Sequence, residues 1–162
     1  MDPHDHQSIS IPAQNETQTG QIAAAVTDVL RAGDVVILDG ALAAGKTFFI
    51  RALVAALGSD EDVTSPTYTI ANIYETPKFP VLHVDAYRLE NAKEFYHLGL
   101  DDYFDTGLCL IEWGQRINGF FDAALQIDIE FGATDQDRIF TFSGKATPWK
   151  AVFAALKDMS HD

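Results

Sequence analysis

Eight consecutive residues, Gly40-Ala41-Leu42-Ala43-Ala44-Gly45-Lys46-Thr47, satisfy the phosphate-loop pattern of glycine, four residues, glycine, lysine and a hydroxyl residue. The chemistry of such a segment is local. Its backbone N–H groups converge on phosphate oxygens, and the helix that follows presents the positive end of its dipole. Lys46 is placed to neutralise terminal phosphate oxygens, and the Thr47 hydroxyl to ligate magnesium. Two acids extend the set. Glu112 closes the apolar run Leu108-Cys109-Leu110-Ile111, and Asp85 closes Val81-Leu82-His83-Val84. An acid at the rim of an α/β sheet is positioned to hold a metal or orient a water beside a phosphate loop. A helix cap is the alternative role for Glu112. Thr64-Ser65-Pro66-Thr67 either presents hydroxyls to a terminal phosphate in a nucleotide-sensitive loop or forms a plain turn. Cys109, between Leu108 and Leu110, reads as core filling.

The surrounding pattern supplies elements to hold these residues. Ile22, Val26, Val29 and Leu30 recur at helical spacing, and the apolar run Val35 to Leu38 reads as a buried strand. After the loop, Ile50, Leu53, Val54 and Leu57 mark the buried face of a second helix ending at Gly58. Tyr68 to Tyr74 and Val81 to Asp85 read as strands joined by a proline-containing turn. A short helix around Asn91 to His97 and an acidic turn from Asp101 to Asp105 lead to the strand Leu108 to Ile111. Leu125, Ile127, Ile129 and Phe131 alternate with polar residues as in a half-buried strand, with Arg138 to Ser143 as its pairing partner. Thr147 as N-cap and Pro148 at the first helical position open a terminal helix burying Trp149, Val152, Phe153 and Leu156. The order predicts one α/β domain over residues 9–162, its mixed sheet including antiparallel strands and flanked by helices, behind a disordered tail over residues 1–8.

Composition narrows the function classes. At 162 residues the chain suits one domain, and 47% apolar with 22% charged residues argues against wholesale disorder. With 24 acidic against 11 basic residues the net charge is −13, a poor basis for gripping nucleic acid by a broad basic face. The single cysteine excludes an intrachain disulfide and fits a reducing compartment. No apolar stretch approaches the ~20 residues of a membrane helix, and the first ten residues lack the marks of a signal peptide, so a soluble cytoplasmic protein is expected.

Four motifs in order, Gly40 to Thr47, Ser65-Pro66-Thr67, His83-Val84-Asp85-Ala86-Tyr87-Arg88 and Ile111-Glu112-Trp113, together resemble the bacterial tRNA threonylcarbamoyladenosine biosynthesis ATPase family, TsaE. The resemblance implies a P-loop NTPase fold, with ATP and magnesium as cofactors and slow hydrolysis. It implies partner proteins TsaB and TsaD, which transfer a threonylcarbamoyl group to the tRNA adenosine beside the anticodon, with tRNA contacted indirectly. By motif match Leu42, Ala43, Ala44, Gly45 and Lys46 contact phosphates, Thr47 and Glu112 hold magnesium, and Asp85 assists the metal or the attacking water. Looser matches carry Thr17 and Arg138 over as nucleotide contacts. The family usually has glycine where this chain has Ala43; if that position takes positive φ, alanine costs roughly 1–2 kcal/mol.

Two other functions fit the phosphate loop alone: a small-molecule kinase and a non-catalytic nucleotide-dependent switch. A kinase usually adds an arginine-bearing lid and an acceptor pocket, and the chain has no obvious insertion for them. Guanine specificity is disfavoured by the lack of an Asn-Lys-x-Asp motif.

Overall fold

The computed structural model describes residues 6–40, 45–59, 71–85, 99, 105–112 and 123–160. Among these residues ten elements follow in order: β1 (His6–Ala13), α1 (Glu16–Thr27), β2 (Val35–Gly40), α2 (Lys46–Ala56), β3 (Ala71–Tyr74), β4 (Val81–Asp85), β5 (Leu108–Glu112), β6 (Leu125–Phe131), β7 (Arg138–Lys145) and α3 (Ala146–Ser160). The strands form one sheet in the order β1-β7-β6-β2-β5-β4-β3. Its centre, β6-β2-β5-β4, is parallel, and antiparallel β7, β1 and β3 extend it to both edges.

Burial explains this division. Every residue of β5 is buried, as the unbroken apolar run of a central parallel strand requires. β6 instead alternates, with Leu125, Ile127 and Ile129 inward, so one face packs and the other meets solvent. The inward rows meet Ile22 and Val26 of α1, Phe49, Ile50 and Leu53 of α2, and Val152, Phe153 and Leu156 of α3 in one core.

Three sequence expectations need correction. The tail expected over 1–8 does not extend to His6, Gln7 and Ser8, which pair in β1 with Lys145, Gly144 and Ser143. Ile9, Ile11 and Ala13 alternate with exposed partners, and Pro12 is tolerated because β1 lies at the sheet's edge. Second, α1 runs from Glu16 to Thr27, so it starts ahead of its apolar residues and ends before Val29 and Leu30, which the spacing assigns to it. Asn15 caps it by accepting from the Gln18 amide at 2.9 Å, while Gln18 Oε1 accepts from the Gln14 amide at 2.7 Å. Third, helical structure in α3 starts at Ala146, and Trp149 (φ −111°, ψ 19°) breaks it into a lead-in turn and the main helix. The Trp149 indole donates to the Ala123 carbonyl at 2.9 Å, anchoring that break to the chain entering β6. The expected helix around Asn91 to His97 lies outside the described residues, as do Ser65-Pro66-Thr67 and the first part of the strand expected from Tyr68.

Candidate functional site

The site lies where β2 gives way to α2. Gly40 is the last residue of β2, and a Cβ there would stand 2.6 Å from the Ile129 carbonyl, so only glycine lets β2 and β6 pass this closely. Gly45 caps α2 at φ +106°, a left-handed turn into the helix. The α2 N-terminus has no side-chain cap and no acid in its first turn. A helix start of this kind is one that an anion can complete. Lys46 is the first helical residue and is buried, and its Nζ donates to the Gly40 carbonyl at 2.7 Å. Thr47 follows in the same turn, half-buried. Leu42, Ala43 and Ala44 lie outside the described residues.

The sheet brings the two acids together. Asp85 and Glu112 end neighbouring parallel strands as register partners, and Glu112 also pairs with Leu38 of β2. Burial pushes the Lys46 ammonium below the ordinary lysine value, and the carboxylates of Glu112, Asp39 and Asp85, in that order, push it back up. Lys46 thus sits in the field of three carboxylates, Glu112 foremost. The Glu112 carboxylate, 3% exposed, accepts through Oε2 from the His83 Nε2 at 2.7 Å.

Asp39 was not read as a site residue from sequence. It is 8% exposed, and its Oδ2 accepts from the Gln126 amide at 2.7 Å. Its Oδ1 has no hydrogen-bond partner among the described residues. The signal was its place directly before Gly40, hidden inside an otherwise apolar strand.

At the start of α2 opens a cleft of about 530 Å³, lined by Thr17 and Thr19 of α1, the cap Gly45 and Phe48 of α2, and Gln136 and Arg138 of the β6–β7 hairpin, among others. It brings Thr17 and Arg138, 121 positions apart in sequence, to one wall-to-wall space against Gly45. Arg138 stacks on Phe131, 4.5 Å from the ring centroid, and donates to the carbonyls of Asp135 at 2.6 Å and Asp137 at 3.0 Å. The hairpin loop is thereby held against the cleft. Phe48 and Gln136 were missed because neither belongs to a motif.

These are the parts of a P-loop nucleotide-binding protein: a strand, a glycine turn and a buried lysine opening an uncapped helix. Within that class the chain belongs to the family described as threonylcarbamoyl adenosine biosynthesis protein TsaE, whose sequence profile matches residues 13–140. Two relatives carry the description tRNA threonylcarbamoyladenosine biosynthesis protein TsaE. The one from Bacillus subtilis is 40% identical over 144 residues, 88% of this chain and 89% of its own. The one from Treponema pallidum is 40% identical over 110 residues, 67% of this chain and 78% of its own. The crystal structure of Bacillus subtilis YdiB superposes with a TM-score of 0.77 at 30% identity, covering 96% of this chain and 97% of that one. No helix among the described residues is long and apolar enough to cross a membrane.

Proposed function

We propose that this protein binds ATP with magnesium and hydrolyses it slowly, in support of the threonylcarbamoyl modification of the tRNA adenosine beside the anticodon. The observation that carries the reading is the meeting of Lys46, at the uncapped start of α2, with Asp85 and Glu112 at the ends of two adjacent parallel strands. An uncapped helix start and a buried ammonium fit a polyphosphate, and Glu112 with Asp85 beside it fits a divalent cation.

The roles follow from position. Lys46 and the leading α2 amides bind and orient the terminal phosphates. Thr47 and Glu112 would hold magnesium, which when bound neutralises charge on the phosphate oxygens. Asp85, beside Glu112 and half-exposed, orients the attacking water or assists the metal. Thr17 and Arg138 line the cleft that would take the nucleoside. Leu42, Ala43 and Ala44 complete the phosphate loop by sequence. A magnesium held by one or two side chains takes its remaining ligands from phosphate and water, in keeping with the small donor set here.

The family role supports TsaB and TsaD as partners, and the net charge of −13 favours their holding the tRNA. The test is product analysis with purified protein. Phosphate release without an added acceptor supports the ATPase, whereas dependence on a metabolite would support a kinase. Glu112→Ala should chiefly impair magnesium-dependent turnover, and normal hydrolysis by both this variant and Lys46→Ala would sink the site assignment. Failure of a pull-down to recover TsaB and TsaD, with and without ATP, would count against the partner assignment.

A further inference from the structure

One buried polar group near the site has no role in the reading above. His83 is fully buried on β4, and its Nε2 lies 2.7 Å from Glu112 Oε2. The sheet register explains the reach. His83 pairs with Leu110, and Asp85 with Glu112, so His83 and Glu112 share one face on adjacent strands, one pleat apart. The other ring nitrogen, Nδ1, is buried and has no hydrogen-bond partner among the described residues. The ring otherwise packs near Tyr74, with centroids 6.2 Å apart.

We propose that His83 is the positioning residue of Glu112: it occupies Oε2 and thereby fixes Oε1 as the oxygen that Glu112 presents to the cation. This rests on the nucleotide–magnesium reading of the site. Glutamate has three side-chain torsions, and a carboxylate left to itself presents either oxygen in several orientations. A short bond from a ring that is locked in the sheet removes that choice. A carboxylate oxygen only accepts, so Nε2 carries the proton of this bond. A histidine serving packing alone would have no reason to carry one engaged and one unmet nitrogen in an apolar interior. Partners that orient a metal-binding side chain commonly set its metal affinity.

The probe is Mn²⁺, titrated into the protein–ADP complex and followed by electron paramagnetic resonance. His83→Leu, which removes the donor, should weaken Mn²⁺ binding about 10–100-fold. His83→Gln, whose amide nitrogen can replace Nε2, should restore binding to within about threefold of the unsubstituted protein. ADP affinity in chelator should be the same in all three, and in turnover the loss should appear in the magnesium requirement before kcat. Unchanged Mn²⁺ affinity in His83→Leu, or His83→Gln as weak as His83→Leu, overturns the proposal. If His83→Leu does not fold, the ¹⁵N spectrum of the unsubstituted protein decides: a proton on Nε2 supports the proposal and a proton on Nδ1 alone overturns it. Failure of the unsubstituted protein to bind Mn²⁺–ADP at all overturns the nucleotide–magnesium reading and this proposal with it, a result distinct from binding that His83→Leu leaves intact.

Discussion

The Lys46 ammonium donates to the Gly40 carbonyl at 2.7 Å, so the first residue of α2 is tied to the last residue of β2 across the loop between them. That bond holds the lysine beside the helix start while three carboxylates offset its burial. Lys46→Ala should therefore lower ATP affinity at least tenfold, about 1.4 kcal/mol or more, by calorimetry. Parental affinity in a folded variant would contradict the role given to the lysine.

Two glycines should fail for different reasons. Gly45→Ala meets only Arg138 Nε, at 3.8 Å, so its cost is the left-handed backbone, roughly 1–2 kcal/mol. Gly40→Ala drives a Cβ to 2.6 Å from the Ile129 carbonyl and must part β2 from β6. Denaturant unfolding should rank Gly40→Ala as the less stable; the reverse order would show that the strands separate easily.

Arg138 holds the hairpin through two carbonyls and the Phe131 ring. Arg138→Ala should loosen that wall of the cleft and weaken ADP binding by roughly 3–30-fold, on the scale of a lost cation–π contact with lost hydrogen bonds. Pyrophosphate affinity should change much less. Equal losses for both ligands would place Arg138 on the phosphates instead.

Asp128 carries a pH signature. Burial, the largest cause, raises its pKa above the ordinary 3.8; the Gln126 amide opposes this, and Asp39 and Glu130 add to it. The folded state then binds the proton more tightly than the unfolded chain. Stability relative to Asp128→Asn is thus full below about pH 3.8 and is lost as pH rises through the elevated value. At pH 7 Asp128→Asn should melt higher, by less than about 1 kcal/mol because solvent screens a half-buried group. The difference should vanish at acid pH in a melting series; a variant less stable at pH 7 would reverse the sign.

Cys109 should resist alkylation. It is buried in β5, and burial pushes its thiol up to about 12, leaving almost no thiolate at neutral pH. Iodoacetamide at pH 8 should modify it only with denaturant, as mass spectrometry would report.

The parts of this molecule legible in sequence were those whose signal is local. The end of β2 at Gly40, the start of α2 at Lys46, the apolar β5 ending in Glu112 and the alternation of β6 all announce themselves within a few residues. β1 did not, although Ile9, Ile11 and Ala13 alternate there, because the run is short, contains Pro12 and gains its meaning only from pairing with β7. The polar first turn of α1 was hidden for the opposite reason: Glu16 and Thr17 face the cleft, so the apolar period begins after them. The His83–Glu112 bond spans 29 positions and depends on a sheet register that no single segment encodes.

The uncapped start of α2 has one more consequence. A helix whose first turn is finished by a bound anion rather than by its own chain folds in equilibrium with that anion. Its melting temperature then becomes a reading of ligand concentration, climbing with the logarithm of that concentration once it exceeds Kd. If that anion is the nucleotide of the proposed function, its supply would also set how long each copy survives proteolysis.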